Sequence, residues 1–536
     1  MRPSAADLTA HYDLLVVGGG VHGLFVAYDA AQRGLSVALV ERGDFGAGLS
    51  FNHQRTLHGG MRDVGGLRLR KARRQVLERR AWAVMAPQLI RPLPFLIGTY
   101  GQAMRSVHAL RAGLTVFDVV GRDRNRGIPA ALHLPPTRIE SAASTARLSP
   151  GIDTRGLTGG AVWYDYQTVS PERLSWVIAS AALQAGATLV NYVEVVAPLK
   201  DGARAVGARV RDRRTGREHD VAAITTLLAA GSAGGPLAAT YGVSDQRPLI
   251  RAMNMLVDRP ALDMAVAAAG PSGRMLTMVP WRGLSLVGTF QSRTAVDAGE
   301  TTPSHAVVDE MLLHVNATFP TLNATRRDIR VIHHGLVPAI GADGALDLLG
   351  ESEIVRHAKT GVPGLISLVG AKFTTARYAA EHAVDVVAVE LGRSIGRCRT
   401  AEVALPHAGT TDAVARLEET ARATGVTLDH DVSEYLAGWY GSEASDVLAF
   451  AIAERLMDRL SADQPVLAGE IAYAVDHAAA ERLSDAVMRR TALGATGHPG
   501  RQALVRAAEV MGARLGWPAA QQDAEILAAE DRYRVP

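Results

Sequence analysis

Three groups of residues in this chain have the types and spacing to do chemistry together. The first is Gly18-x-Gly20-x-x-Gly23, with Glu41 closing the next apolar run. The second gathers Ser50, His58, Gly59, Gly60 and Arg62, and the third is Gly370-Ala371-Lys372-Phe373-Thr374-Thr375. In the first, Gly18 permits a tight turn, Gly20 lets the backbone approach a pyrophosphate, and Gly23 lets a helix pack closely on a strand. Glu41 is placed to accept from two ribose hydroxyls, which favours FAD or NAD over NADP, whose added phosphate a carboxylate repels. In the second, the glycine pair lets backbone approach a flat ring, His58 can take a hydroxyl proton, and Arg62 can hold an anion bidentately. On residue type alone His58 reads equally as a base or a structural hydrogen-bonder, and Glu41 also reads as a solvated loop carboxylate.

These residues need a frame. A buried run over 14–17 precedes the glycine turn, an apolar helix follows, and residues 37–40 give a second strand ending on Glu41. That is the order of a dinucleotide-binding unit, with the helix N-terminus facing the phosphates. Patterning further predicts a helix over 165–183, a strand over 188–196 and a buried run over 220–230 that ends in Ala229-Ala230-Gly231. Antiparallel strands follow over 249–313, then a buried strand over 364–369 and a helix over 374–391. Lys372 therefore falls at a strand-to-helix turn, where sheets of this type hold ligands beyond their strand ends. After a linker over 399–409, heptad-like spacing to about residue 515 predicts a helical bundle without a catalytic cluster, with one helix over 470–493.

Composition sets the class. A chain of 536 residues, 48% hydrophobic and 21% charged, fits a soluble enzyme of more than one domain. Its net charge of +3 is too small to imply nucleic acid. The single cysteine, Cys398, excludes an internal disulfide, a CxxC pair and a cysteine-rich metal site. It reads as an inert thiol in a reducing, cytoplasmic setting. The apolar stretch over 14–31 holds a triple glycine, His22 and Asp29, so it is neither signal peptide nor membrane span. Arg68, Arg70, Lys71, Arg73, Arg74, Arg79 and Arg80 make a dense basic helix with two readings. One is contact with anionic lipid on the inner face of the membrane; the other is a solvated face beside acidic partners.

The GGGVHG turn, the HGGMR loop and Gly370 to Arg377 give the chain a family resemblance. It resembles the FAD-dependent glycerol-3-phosphate dehydrogenases and oxidases, in which these segments read GGGxxG, HGGLRYL and GGKLTTYR. Tyr440-Gly441-Ser442, Asp476-His477 and the run from Asp485 to Thr491 are similar to that family's C-terminal domain, so the resemblance spans nearly the whole chain. It implies an α/β fold: a Rossmann-like FAD-binding domain of glutathione-reductase type, an antiparallel β cap domain and a C-terminal α-helical domain. The oxidoreductase region would span 1–398, with FAD-binding parts over 12–90, 156–248 and 330–398 and cap parts over 91–155 and 249–329. The helical domain would span 399–536.

The resemblance also implies roles. FAD would lie against Gly18, Gly20, Gly23, Glu41, Ser50, Gly59, Ala230, Gly231, Phe373 and Thr374, with the Val195 backbone beside the adenine. The helix after Lys372 would stabilise negative charge on the reduced flavin. An anionic secondary alcohol would lose its hydroxyl proton to His58 and a hydride to flavin N5. Arg62 and Lys372 would hold the anion and the nascent carbonyl oxygen. Electrons would leave to a quinone or oxygen; no metal is implied, and a homodimer is compatible. Pro280-Trp281 and Gly288-Thr289 resemble the family's cap, where Trp281 reads as pocket wall or as core.

Three departures fall on the substrate side. Gly335-Leu336-Val337-Pro338-Ala339 stands where the family has Gly-x-Arg-Pro-Leu, removing an anion ligand worth about 1.5–3 kcal/mol, or roughly tenfold to a hundredfold in binding. Asp63 replaces the tyrosine after Arg62, where it is expected to neutralise part of that arginine's field, and Ala376 replaces the tyrosine before Arg377. His333 and His334 are replacement donors or structural, and strand alternation sends only one inward. The first substrate reading is sn-glycerol 3-phosphate, giving dihydroxyacetone phosphate, with another polyol phosphate or a 2-hydroxy acid as alternatives. An amine oxidase has no use for His58 and Lys372. A flavin-stabilised scaffold would hold FAD that no alcohol reduces, and an NAD-dependent dehydrogenase lacks the HGGxR loop.

Overall fold

The structure is a computed structural model that describes residues 4–9, 11–101, 107–245, 247–271, 273–342, 344–409 and 412–536. Its organising element is the strand His11–Val17, whose Leu14, Leu15 and Val16 are fully buried. A strand buried on both faces needs parallel neighbours and covering helices. Val37–Glu41 and Glu218–Leu228 pair with it in parallel, and Thr188–Asn191 and Leu365–Val369 extend the sheet outward. Helices Val21–Gln32, Pro171–Gln184 and Ala376–Leu391 share one apolar core against this sheet. Antiparallel strands Glu353–Arg356, Val193–Asp201 and Arg204–Asp212 complete eight strands.

The glycine turn is constrained by contact on two sides. Gly18 has φ +111°, and a Cβ there would sit 2.6 Å from the Ala229 carbonyl oxygen. A Cβ on Gly23 would overlap the Gly18 carbonyl oxygen, which is what lets Val21–Gln32 lie so close to the first strand.

A ten-stranded, mostly antiparallel sheet forms the cap. Ile90–Tyr100 pairs antiparallel with Leu157–Thr168 and parallel with Ala265–Ala269. Met275–Trp281, Leu284–Gln291, Leu249–Pro260 and Ile329–Ile340 follow in antiparallel order, with Asp347–Leu348 at that edge and the short Thr56–Leu57 beyond Leu157–Thr168. Helix His305–Thr318 covers one face. A second cluster runs from Trp163, Trp281 and Leu286 of the sheet into Leu436, Trp439 and Leu493 of the C-terminal helices.

Several elements differ from the sequence reading for physical reasons. Asp165 belongs to the strand Leu157–Thr168, and the helix begins only at Pro171, whose fixed φ suits a first helical position. The strand over 188–196 is two strands, broken at Tyr192 with φ +56°. The antiparallel segment gives way to a helix at His305, and the helix after Lys372 starts at Ala376. The C-terminal bundle carries a hairpin, Arg459–Ser461 with Gln464–Leu467. Its expected helix over 470–493 is broken into Ala468–His477, Leu483–Asp485 and a π-helical turn Ala486–Arg490. Asp485, Arg489 and Arg490 are buried there, and the break turns them toward partners on other elements. Among the described residues no helix is long and apolar enough to cross a membrane.

Gly23→Ala is expected to destabilise the fold by about 1–3 kcal/mol, the usual cost of overpacking, read by urea unfolding. An unchanged midpoint would show that the helix and strand can separate at no cost.

Candidate active site

The glycine turn, Glu41 and Ser50 converge at the carboxyl ends of the parallel strands. The Gly19 and Gly43 N–H groups donate to the two Glu41 oxygens at 2.6 and 2.8 Å. Burial pushes the Glu41 carboxyl up, and these two donors oppose it. Each oxygen keeps a lone pair for a ribose hydroxyl. Ser50 Oγ accepts from Val21 N–H at 2.8 Å, and the helical bonds start with Leu24 N–H to the Gly20 carbonyl at 2.9 Å, so the N–H groups before Leu24 are the ones a helix start leaves for a phosphate. Ala230 and Gly231 continue beyond Glu218–Leu228, and Val195 lies on the strand after Tyr192, whose N–H donates to the Gly43 carbonyl at 3.0 Å. The hydroxyl and helix N–H groups are donors that fit phosphates, and the carboxylate is an acceptor that fits ribose hydroxyls.

The second group lies against the third. His58 N–H donates to Thr374 Oγ1 at 3.1 Å, and Trp82 Nε1 donates to the Thr374 carbonyl at 3.0 Å. Phe373 is stacked between His53 and Trp82, with ring centroids 4.5 and 5.3 Å away. Among the described residues the buried Nε2 of His53 has no hydrogen-bond partner, a sign that a polar group belongs beside Phe373.

Beneath His58 lies Asp165. Its carboxylate accepts from Gly59 N–H at 2.7 Å, stands 3.4 Å from His58 Nδ1, accepts from Trp163 Nε1 at 3.3 Å and pairs with the buried Arg79. Burial works against its ionisation, but the His58 hydrogen bond and Arg79 outweigh burial and hold Asp165 below the usual carboxylate range. The His58 side chain is 52% exposed above a carboxylate only 2% exposed, so one ring nitrogen is anchored while the rest of the ring is open. Asp165 and Arg79 were not singled out from the sequence. The alternation of Trp163, Asp165 and Gln167 was the signal for Asp165, and Arg79 was hidden among the cations of its helix.

Lys372 is partly buried, with Nζ 3.6 Å from Asp63 Oδ2. Burial lowers its pKa, Asp63 opposes that, and Lys71 and Arg62 add to the lowering. Asp63 also bonds Gln75 and, at 2.8 Å, Arg68. The field it neutralises is thus that of Lys372 and Arg68, a correction to the expectation that it would act on Arg62. The Arg62 side chain is 83% exposed and 3.8 Å from Asp347. A cavity of about 220 Å³ next to Lys372 is lined by Lys71, Arg74, Glu351, Ser352 and Tyr378.

Val337 packs with Ile250 and Ala339 in a small apolar cluster. His333 is buried between Arg55 and Asn52, each at 3.0 Å. Trp281 is buried under the Arg55 guanidinium at 3.7 Å, which is the core reading. The basic helix meets its own carboxylates: Arg68 with Asp63, Lys71 and Arg74 with Glu351, Arg73 and Arg80 with Asp123. Burial raises the Cys398 thiol pKa, as suits an inert cysteine.

Comparison with known proteins decides the family. Residues 13–386 match the model described as FAD dependent oxidoreductase, and residues 398–522 match the C-terminal domain of alpha-glycerophosphate oxidase. Glycerol-3-phosphate dehydrogenase 2 of Mycobacterium bovis is 30% identical over 97% of this chain and 87% of its own length. The chain belongs to the FAD-dependent glycerol-3-phosphate dehydrogenase family. A glycerol-3-phosphate dehydrogenase of Synechocystis sp. is 29% identical over 96% of this chain and 95% of its own length. The crystal structure of the glycerol-3-phosphate dehydrogenase from Bacillus halodurans complexed with FAD superposes with a TM-score of 0.75 at 25% identity, covering 98% of this chain and 94% of that one. Family membership makes the chain an oxidoreductase with FAD as its cofactor, on the α/β fold with a C-terminal helical domain that its sequence implied.

Burial holds the His22 and His53 imidazoles neutral, with pKa values lowered to about 4 and about 3. An unfolded histidine protonates near pH ~6.5. Below that pH the unfolded chain binds more protons than the folded one, so stability falls as pH drops toward 4. Thermal melts should show Tm falling through this window, less steeply in His53→Gln. Equal slopes would mean that His53 titrates normally in the fold.

Proposed function

We propose that the chain oxidises a secondary alcohol carrying an anionic group, with sn-glycerol 3-phosphate to dihydroxyacetone phosphate as the first candidate reaction. The observation that carries the reading is the half-open His58 ring over the buried pair of Asp165 and Arg79, with the His58 backbone bonded to Thr374, two residues beyond Lys372. The names of the relatives support the substrate. When bound, FAD would supply a two-electron acceptor for the carbinol hydrogen, with a quinone or oxygen as the onward acceptor.

The protein's part is proton handling and positioning. With Nδ1–H directed at Asp165, His58 presents a lone pair at Nε2, the tautomer needed to take the substrate hydroxyl proton. Asp165 then stabilises the imidazolium, and Arg79 keeps Asp165 ionised while it does so. A positioned base of this kind contributes about 10² to 10⁴ in rate. Lys372, partly desolvated, is suited to hold the oxygen that becomes a carbonyl, and with Arg62 the anionic group.

The charges around the cavity argue for weak rather than tight phosphate binding. Lys372 faces Asp63, Lys71 and Arg74 face Glu351, and Arg62 faces Asp347. A phosphate entering here competes with carboxylates already in place, and Val337 offers it no guanidinium. Another polyol phosphate or a 2-hydroxy acid suits the same base and the same partly balanced field.

The test is anaerobic bleaching of the flavin band near ~450 nm by glycerol 3-phosphate. His58→Ala should keep the yellow flavin yet bleach about a hundredfold more slowly or worse. Bleaching at the wild-type rate would remove His58 from proton transfer. Val337→Arg should lower the KM for glycerol 3-phosphate by roughly tenfold to a hundredfold with kcat little changed. A correctly folded variant with unaltered KM would place the phosphate elsewhere.

A further inference from the structure

The loop over 42–51, which joins Glu41 to Ser50, is fastened from the far end of the chain. Asp44 in that loop is fully enclosed, and guanidiniums of the C-terminal domain take both its oxygens. Arg490 reaches Oδ1 and Oδ2 at 2.6 and 2.9 Å, and Arg489 Nε reaches Oδ2 at 2.6 Å. Behind them Asp485 accepts from Arg489 at 2.6 Å and from the Tyr192 hydroxyl at 2.9 Å. Arg490 Nε donates to the Ala478 carbonyl at 2.7 Å, and Asn191 Nδ2 to that of Ala479 at 2.9 Å. Two arginines and two aspartates thus tie together the loop, the break at Asn191 and Tyr192, and the segment over 478–490.

Burying four charges carries a large desolvation cost, and packing alone is served as well by apolar side chains. What the cluster adds is fixed geometry, because a bidentate guanidinium sets the angle as well as the distance of its carboxylate. The geometry it fixes belongs to the nucleotide side. Gly46 N–H donates to the Gly19 carbonyl at 2.9 Å, and Tyr192 N–H to the Gly43 carbonyl at 3.0 Å. Gly19 and Gly43 are the donors to Glu41, and the loop ends at Ser50, on the N-terminus of Val21–Gln32. We propose that Arg489 and Arg490 are positioning residues for FAD: through Asp44 the C-terminal domain holds the loop that presents Glu41 and Ser50 to the dinucleotide.

The proposal rests on FAD being the cofactor and not on the substrate, so a protein that ignores glycerol 3-phosphate leaves it intact. The full-length protein is stripped of FAD and reconstituted, and the dissociation constant is read from flavin fluorescence and from the circular dichroism of bound FAD. Arg490→Lys keeps the charge and loses the bidentate contact. Its FAD dissociation constant should rise about tenfold or more with an altered flavin signal, and so should that of Asp44→Asn. The control is Asp328→Asn, which breaks the bidentate Arg259 ion pair inside the cap, a pair that shares no partner with the loop or with Arg489 and Arg490. It should lower Tm but leave FAD affinity within about twofold. Unchanged affinity in both loop variants, or an equal loss in the control at matched Tm, overturns the proposal. Should Arg490→Lys not fold, Asp44→Asn, which retains both guanidiniums, decides the comparison alone.

Discussion

Asp165 is the contact on which the site depends, because among the described residues it is the one carboxylate shared by the cap sheet, the HGG loop and the basic helix. It sits on the strand Leu157–Thr168, receives Gly59 N–H, faces His58 and pairs with Arg79. An ionised carboxylate this deeply buried persists only when its lone pairs are filled by charged or strongly polarised donors. Every one of its partners is therefore held in place, and the His58 ring inherits that fixity although most of it is open to solvent. The same group thus solves a folding problem and orients the imidazole proposed as the proton acceptor.

The substrate side shows the opposite balance. Each cation near the cavity has a nearby carboxylate, and those carboxylates are about half exposed except for Asp63. Exposed pairs contribute little and rearrange easily. A ligand can displace Glu351 or Asp347 at modest cost, whereas Asp63, held by Arg68 and Gln75 as well as Lys372, stays where it is. The permanent charge at this edge is therefore Lys372 with Asp63, nearly neutral as a pair. That fits the proposed reaction, in which the substrate's reacting oxygen is gripped more firmly than its distant anion.

What the sequence made legible follows from how local each signal is. The glycine turn, both strands beside it and Glu41 were readable because strand, turn and helix are contiguous there, and the contacts at Gly18 and Gly23 explain why no other residue serves. Lys372 at a strand-to-helix turn was readable for the same reason. The place of Asp165 was not, since His58, Gly59 and Arg79 lie far from it in sequence, and the helical pattern over 165–183 puts Asp165 itself at the start of a helix. The break at Tyr192 and the broken helix over 470–493 were also hidden. Periodicity reports a buried face, not the buried charges of Asp44, Asp485, Arg489 and Arg490, which are satisfied only across domains.

Those long-range pairs bear on why the chain keeps a helical domain that, among the described residues, supplies no hydrogen bond or ion pair to His58. A Rossmann unit reads phosphates with backbone that the sheet fixes directly, but Glu41 and Ser50 are joined by a loop outside the sheet. Left alone, such a loop samples many conformations, and ordering it on binding would subtract from cofactor affinity. Docking Asp44 under two guanidiniums moves that entropy cost from binding to folding, where the large apolar cluster shared by the cap and the C-terminal helices is available to offset it. Cap, nucleotide loop and helical domain then become one cooperative unit, and on the positioning proposal the C-terminal domain acts on the chemistry through the cofactor's fit.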